Sequence, residues 1–250
     1  WFKKWKETRM SWHQALGFGP EKYRFHDHEK LAHYANAATD IEFRFPFGFK
    51  EVEGIHSRTD FDLKRHQEFS IIFPFRKIFQ KQKDFYFRMA EVKAIIAERN
   101  LIETSIGVDR MFLQILSAAY TEEEIVKEDG SKDSRVVLKL PPALAPIKLA
   151  VMPLVKKDGL PEKAEEIMKL LRLDFRCQYD EKDSIGKRYR RQDAIGTPFC
   201  ITIDHQTLED NAVTIRYRDT MEQERVAIDQ LHDILRKKTD LREILKEVKI

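Results

Sequence analysis

The sequence contains few cysteines, and their placement excludes two common uses of this residue. The chain has 250 residues and only two cysteines, Cys177 and Cys200, each inside a short apolar run. Neither has the spacing of a zinc-binding motif, and the two do not form a disulfide framework. Free cysteines of this kind are typical of a reducing compartment, so we expect a cytoplasmic location.

Long apolar runs are also missing. The longest, residues 144–155, is interrupted by Lys148, whereas a membrane-spanning helix needs about 20 consecutive apolar residues. The first residues, Trp-Phe-Lys-Lys-Trp-Lys, are not followed by the apolar segment of a signal peptide. We therefore expect no membrane association. The first methionine is Met10, which predicts a chain that is truncated or processed at its front.

An excess of charge of one sign is the third missing feature. Lys and Arg number 45 against 42 Asp and Glu, a net charge of +3. A nucleic-acid-binding role therefore has to rest on local clusters of basic residues. With 42% hydrophobic and 35% charged residues, the composition predicts a packed core, in one large domain or two ordinary ones.

Hydrophobic periodicity predicts the elements of the front part. Aromatic residues at helical spacing predict a helix over residues 2–16. Over 41–56, phenylalanines alternate with polar residues, which is typical of antiparallel strands, and Pro46 with Gly48 marks a turn. A second helical periodicity predicts a helix over 107–120.

The rest of the chain is predicted to form a separate domain. The polar, acidic residues 121–134 predict a surface loop, and Pro141, Pro142 and Pro146 indicate a boundary, so we place domains at 1–140 and 141–250. Beyond it, strands are predicted at 147–155, 175–179, 199–203 and 213–217, and helices at 161–172, 184–195 and 221–235. This alternation predicts an α/β domain with a mixed, mostly parallel sheet.

Residues 103–110, Glu-Thr-Ser-Ile-Gly-Val-Asp-Arg, form the first candidate site. Glu103 and Ser105 alternate on a predicted strand, so they share a face and can bind an ammonium group. Gly107 allows close approach of a ligand to the backbone, and Arg110 offers a fork of donors to a phosphate. The alternative is a helix N-terminus with a surface arginine.

A second candidate site lies in residues 50–63. Glu51 and Glu53 are two residues apart on a predicted strand, which predicts that they share a face. Two neighbouring carboxylates are tolerated near a divalent cation because the cation relieves their repulsion. A solvated strand face is the alternative.

The third candidate is a basic segment with an aromatic residue: Lys187, Arg188, Tyr189, Arg190 and Arg191. Basic side chains neutralise backbone phosphates, and a tyrosine can stack on an unpaired base. The segment therefore predicts a nucleic-acid contact, with a solvated helix face as the alternative.

These segments and several others resemble the glycyl-tRNA synthetases, a family of class II aminoacyl-tRNA synthetases. Residues 103–110 are similar to motif 3 in its glycyl form, and the segments at 31–41 and 51–63 resemble those between motifs 2 and 3. Four later segments are similar to the family's anticodon-binding domain: 144–148, 185–193, 195–199 and 218–223. The motifs follow the family's order over residues 1–70 and 101–235, as in a C-terminal portion of such an enzyme.

The resemblance implies a fold, a reaction and partners. The fold would be a partial class II catalytic core around an antiparallel sheet, followed by an α/β anticodon-binding domain. The reaction would join glycine to ATP, with Mg²⁺, and pass glycine from the adenylate to tRNA(Gly), in a homodimeric full-length enzyme.

The resemblance also implies roles for individual residues. Glu103 and Ser105 would contact glycine, with Thr104 supporting them. Arg110 would hold the ATP phosphates near Gly107, and Glu51 with the Val52 backbone would contact ATP or its Mg²⁺. The basic segment at 187–191 would contact tRNA.

The sequence departs from the family in two places. The chain begins after the expected positions of motifs 1 and 2, so we expect that it does not activate glycine in isolation. Residues 71–100 do not align with the family. Two alternatives therefore stay open: a non-catalytic, synthetase-like accessory subunit that binds nucleic acid, and a tRNA-binding domain over 144–250 with a remnant attached.

Overall fold

The computed structural model describes residues 1–69, 100–126, 130, 132–246 and 248. It has a mixed α/β architecture, as predicted. The chain forms two compact units, one built mainly from residues 1–13 and 19–111 and the other from 14–18 and 112–248. The unaligned stretch 71–100 lies outside the described residues except for Asn100.

The first unit contains a four-stranded antiparallel sheet. Its strands, in hydrogen-bonding order, are β1 (Tyr23–Asp27), β2 (Ala37–Phe45), β3 (Gly48–Thr59) and β4 (Leu101–Ile106). Helix α1 (Phe2–Ala15), a 3-10 turn (Pro20–Lys22) and helix α2 (Phe61–Phe69) accompany it. The predicted front helix, strand pair and turn are confirmed; Gly48 has a φ of 102°, which favours glycine there.

The second unit contains a five-stranded mixed sheet. Its strands run in the order β11 (Gln223–Ala227), β10 (Ala212–Tyr217), β9 (Phe199–Ile203), β7 (Leu149–Pro153) and β8 (Cys177–Tyr179). Strand β7 pairs in parallel with β8 and β9, while β10 is antiparallel to β9 and β11. Its helices are α3 (Val108–Ala119, which begins in the first unit), α4 (Leu160–Leu171), α5 (Ile185–Ile195), α6 (His205–Asp210), α7 (Ile228–Thr239) and α8 (Leu241–Lys246).

Strands β7 and β9 of this sheet are buried on both faces. Leu149, Val151 and Ile201 belong to the larger apolar core, which also includes buried residues of α4 and α7. The alternating neighbours Ala150 and Cys200 form a smaller cluster against Tyr189 of α5. Burial on both faces explains why these strands are nearly continuous apolar runs in the sequence. None of the helices in the described part of the chain combines the length and the apolar composition of a membrane-spanning segment.

Two sequence-based predictions are wrong in this unit. Residues 121–126 and 132–134 are not a loop: they belong to β5 (Tyr120–Val126) and β6 (Lys132–Leu138), which pair in antiparallel orientation. The predicted helix 221–235 begins only at Ile228, because residues 223–227 pair with β10 as strand β11. In both places pairing with a neighbouring strand outweighs weak local preferences.

Candidate functional site

One face of the first sheet carries the residues predicted to bind an amino acid. Glu103 and Ser105 lie two positions apart on β4, opposite His56 and Gly54 of β3. Gly54 in turn lies opposite Asp40 of β2. Since directly paired residues of an antiparallel sheet point to the same side, these side chains form one polar face. Thr104 pairs with Ile55 and points to the other side, so it is separated from Glu103 and Ser105.

Arg58 fixes the carboxylate of Glu103, and the sequence analysis missed it. Its guanidinium donates to Glu103 Oε2 at 2.6 Å and to both carboxylate oxygens of Asp62. The guanidinium also lies 4.0 Å from the centre of the Tyr34 ring. Hydrogen bonds to Asp62 and Glu103 raise the pKa of Arg58. Arg58 is on β3 and Asp62 in the first turn of α2, and the one available signal in the sequence was that both lie in the segment 51–63 singled out for its resemblance.

The predicted phosphate-binding residues meet where β3 and β4 approach α3. Arg110 Nη1 donates to the side chain of Glu51 and to its backbone carbonyl, both at 3.1 Å. The Gly107 amide donates to the Val52 carbonyl at 3.4 Å. Arg110 and Glu51 are about half exposed, with side-chain exposures of 58% and 48%, so a ligand from solvent can reach both.

Glu53 does not share the solvent-facing position of Glu51, contrary to the prediction. The register of β2 and β3 shifts between Ile41 and Glu42, which pair with Glu53 and Glu51 respectively. This irregularity breaks the two-residue alternation. Glu53 is only 1% exposed, and its carboxylate accepts hydrogen bonds from Arg9 at 3.0 Å and is 2.8 Å from His13 Nε2. It therefore joins α1 to the sheet and is unavailable as a second metal ligand.

The buried Glu53 cluster predicts acid sensitivity of the first unit. Burial acts to raise the pKa of Glu53, but hydrogen bonds from His13 and Arg9 outweigh it and lower the pKa below its ordinary value of 4.5. The cluster thus stabilises the fold above that pH, and the contribution is lost as the pH falls through the lower folded-state pKa.

We expect Glu53→Gln to lower the free energy of unfolding at pH 7 by about 1–3 kcal/mol, because Arg9 and His13 lose a buried charged acceptor. The free energy of unfolding of the wild type, measured with urea, should fall below about pH 4.5. That of the variant should change less as the pH is lowered. Glu29→Gln, at an exposed position, is the control. Parallel pH curves for wild type and Glu53→Gln would contradict the assignment.

The predicted tRNA-binding segment divides into buried and exposed residues. Arg188 is 3% exposed, and its guanidinium donates to the carbonyls of Pro153, Leu154 and Asp180. Tyr189 is half-buried: its hydroxyl lies 2.7 Å from Thr202 Oγ1, and the Arg216 guanidinium is 4.7 Å from its ring centre. Both residues are therefore removed from the candidate phosphate contacts, because they are engaged inside the domain.

The remaining three residues of that segment differ in availability. Arg190 pairs with Asp133 at 2.8 Å. Arg191 pairs with Asp180 and Asp183, at 2.9 and 2.8 Å. Lys187 is exposed at the first turn of α5. It is the member of the predicted segment best placed to meet a ligand from solvent.

The ends of the parallel strands present a wider basic surface, which we call the carboxyl edge. Ligands of open α/β sheets bind outside the carboxyl ends of parallel strands. Exposed basic residues follow each strand end in this domain: Lys156 and Lys157 after β7, Lys182 and Lys187 after β8, and His205 after β9. Carboxylates oppose most of this charge: Asp180 and Asp183 pair with Arg191, Glu181 pairs with Lys156 at 3.6 Å, and Asp158 pairs with Lys157 and His205. Lys182 and Lys187 form no ion pair within the described part of the chain, so they are the lysines of this edge best placed to meet a ligand.

Among the described residues, no group of three or more His, Cys, Asp or Glu side chains can hold a metal ion. Mg²⁺ in nucleotide sites is often bound through one or two carboxylates and the substrate phosphates. Glu51 is a single, half-exposed carboxylate that contacts Arg110, so it fits that role and not a preformed metal site.

Comparison with family models gives one match in the second part of the chain. A family model described as an anticodon binding domain matches residues 148–238. The match covers the five-stranded sheet and ends within α7, at the second-last residue of that helix.

Curated relatives extend the similarity to almost the whole chain. A glycine–tRNA ligase of Chlorobaculum tepidum is 47% identical over 235 residues, covering 94% of this chain and 46% of the relative. One of Treponema denticola is 44% identical over 244 residues, 97% of this chain and 51% of the relative. A glycine–tRNA ligase of Bacillus cereus is 49% identical over 243 residues, covering 95% of this chain and 48% of the relative.

The chain thus spans about half the length of the curated relatives that it matches. The predicted resemblance to a C-terminal portion of these enzymes is confirmed. Over 94–97% of its own length, the chain is therefore similar to part of the glycine–tRNA ligases of these three bacteria.

Proposed function

We propose that this chain supplies one side of the glycine and ATP site of a glycine–tRNA ligase, together with the domain that binds tRNA(Gly). The observation that carries the proposal is the convergence of groups on the β3–β4 strand pair. Glu103 and Ser105 share its polar face, and Arg110 contacts Glu51 where the same strands approach α3. A carboxylate for an ammonium group and a guanidinium for phosphates are the groups that amino-acid adenylation needs.

Glycine and ATP make different demands on these residues. Glycine has no side chain that the protein could bind, so its ammonium group needs an anionic partner, which Glu103 provides. Ser105 adds a hydroxyl on the same face. Arg110 offsets phosphate charge as pyrophosphate leaves, and Mg²⁺ brought by ATP does the same with Glu51 as its protein ligand. The Val52 backbone and Gly107 line the approach to the nucleotide.

The activity is tested by glycine-dependent exchange between ATP and pyrophosphate in the full-length natural protein. We expect turnover with glycine and none with alanine or serine. The 250-residue chain measured in parallel is expected to stay at background, since it corresponds to about half of its relatives. An inactive full-length protein that still binds tRNA would favour a non-catalytic accessory subunit instead.

For tRNA, we propose the carboxyl edge as the contact surface in place of the predicted 187–191 segment as a whole. Lys156, Lys157, Lys182 and Lys187 are exposed there and can neutralise phosphates. The proposed enzyme works in the cytoplasm as a homodimer, as the resemblance implies.

Replacing Lys182 and Lys187 together by alanine should weaken tRNA(Gly) binding and flatten its salt dependence. For each phosphate that is no longer neutralised, the slope of log K against log salt concentration falls by about 0.7–0.9. Filter binding at several salt concentrations measures both effects. Lys169→Ala is the matched control, because Lys169 is 69% exposed but lies near the far end of α4. A double variant with the wild-type slope would remove these residues from the interface.

A further inference from the structure

The two lysines of the carboxyl edge that form no ion pair lie in or directly after one loop. Residues 180–184 connect β8 to α5, and we call them the edge loop. Lys182 is exposed within this loop, and Lys187 is exposed in the first turn of α5. Asp183 has a φ of 67°, a left-handed conformation that residues other than glycine seldom adopt. The edge loop therefore depends on contacts from outside it to keep this conformation.

Arg191, one turn after Lys187 on α5, supplies such contacts. Its Nε and Nη2 donate to the carboxylate of Asp180, at distances between 2.9 and 3.1 Å. Nη1 donates to Asp183 Oδ2 at 2.8 Å, and Nη2 donates to the backbone carbonyl of Lys182 at 2.6 Å. The Lys182 amide in turn donates to Asp180 Oδ1 at 3.0 Å. One guanidinium thus contacts three residues of the edge loop.

Arg188 holds the start of the same loop from inside the domain. Its guanidinium donates to the carbonyl of Asp180 and to the carbonyls of Pro153 and Leu154 at the end of β7. Arg188 is 3% exposed, whereas the side chain of Arg191 is 41% exposed. A change at Arg191 can therefore loosen the edge loop while Arg188 keeps α5 attached to the sheet.

We propose that Arg191 is a positioning residue for tRNA: it holds the edge loop so that Lys182 and Lys187 face neighbouring phosphates, and it makes no phosphate contact itself. The inference rests on the proposed function and deepens it. A loop that is ordered before binding avoids the entropic cost of being ordered by the ligand. Arg191 also offsets the charges of Asp180 and Asp183, which would otherwise repel phosphates beside the lysines.

The first test is filter binding of tRNA(Gly) to the full-length natural protein. Arg191→Lys retains the charge but cannot contact two carboxylates and a carbonyl at once, so we expect Kd to rise at least fivefold. A direct phosphate contact would tolerate this change, because lysine also binds phosphates. Arg190→Lys is the matched control, because the adjacent Arg190 has a side-chain exposure of 37% and pairs with Asp133 instead. Its Kd should stay within twofold of wild type.

A thermodynamic cycle separates positioning from an independent effect of Arg191. In the variant with both Lys182 and Lys187 replaced by alanine, the side chains that Arg191 positions are absent. Adding Arg191→Lys to that variant should therefore change Kd less than twofold. The same fold-loss in the wild-type and the double-alanine backgrounds would show that Arg191 acts without the lysines, and would overturn the inference.

Hydrogen exchange of the free protein tests the hold on the loop without tRNA. We expect the amides of residues 180–184 to exchange faster in Arg191→Lys than in Arg190→Lys, while those of β7 keep their wild-type rates. Equal rates in the two variants would mean that Arg191 does not hold the edge loop.

The outcomes separate this inference from the proposed function. A wild-type Kd in the variant that lacks both lysines overturns the proposed contact surface, and the inference with it. Weaker binding in that variant, together with a Kd within twofold of wild type in Arg191→Lys, overturns the positioning role alone and leaves the contact surface standing.

Discussion

Replacing Asp193 by asparagine is expected to lower the free energy of unfolding of the second unit by about 3–5 kcal/mol, because it removes the carboxylate that the buried Arg216 pairs with and one of the two carboxylates that pair with Arg135. Asp193 is fully buried and accepts hydrogen bonds from Arg216 at 2.8 and 3.0 Å. Arg135 also donates to it, at 2.9 Å. Arg135 is 3% exposed and Arg216 6%. In a unit of this size, the loss corresponds to a fall in Tm of roughly 10 °C.

Thermal unfolding followed by circular dichroism measures this effect. Asp183→Asn is the control, because Asp183 makes an ion pair of similar length with Arg191, 2.8 Å, but on the surface. Surface ion pairs contribute little to the free energy of unfolding. The Tm of Asp183→Asn should therefore stay near that of the wild type. Equal melting temperatures for both variants would mean that solvent or a shifted side chain compensates the two arginines.

The Asp193 network also explains why the hairpin belongs to the second unit. Arg135 on β6 joins Asp193 on α5, and Arg190 on α5 donates to Asp133 and to the carbonyl of Ser134. The hairpin is therefore held against α5 by charged hydrogen bonds. The compact second unit accordingly includes the residues from Phe112 onward, while the boundary at 140/141 stays a prediction from the prolines.

Glu103→Gln in the full-length natural protein is expected to lower kcat/KM for glycine by about 100-fold. The variant retains size and hydrogen-bonding atoms but removes the charge that balances the ammonium group. Hydrogen bonds to charged groups contribute about 1.5–3 kcal/mol, and each 1.4 kcal/mol is roughly tenfold. The KM for ATP should change little, because Arg110 and Glu51 lie at the other end of the strand pair.

Two further variants make this result specific. Glu124→Gln is the control, since Glu124 pairs with Lys132 at an exposed position of the hairpin. Arg58→Lys keeps the charge next to Glu103 but cannot contact Glu103 and Asp62 in the same fork-like manner. For Arg58→Lys we expect a loss of kcat/KM for glycine that is smaller than that of Glu103→Gln. Full glycine activity in Glu103→Gln would remove the acidic residue from the substrate site.

Some elements of the chain were predictable from local patterns. The apolar runs that became β7 and β9 are buried on both faces, and the periodic segment that became α4 buries its apolar residues on one side. Such patterns follow from the geometry of a strand or helix. The fold class and the position of Glu103 beside Ser105 could therefore be inferred before the structure was known.

Other features depended on distant contacts. Residues 121–134 are polar and contain a glycine, which favours a loop, yet pairing of β5 with β6 and the Arg135–Asp193 contact place residues 121–126 and 132–134 in strands. The register shift at Ile41 and Glu42 separates Glu51 from Glu53, and no local pattern encodes it. Each outcome depends on a partner far away in the chain.

The amino-acid sequence alone determined the class of fold, many of its strands and helices, and the resemblance to glycine–tRNA ligases, because periodicity and motifs are properties of neighbouring residues. Only the tertiary structure decided which charged residues are buried and form internal hydrogen bonds and which are exposed to solvent. Arg188 looked like a phosphate ligand but binds three backbone carbonyls, while Arg58 and Asp40 lie at the polar face beside Glu103 and Gly54. The reason is physical: a charge leaves water only when partners compensate it, and those partners come from other strands and helices.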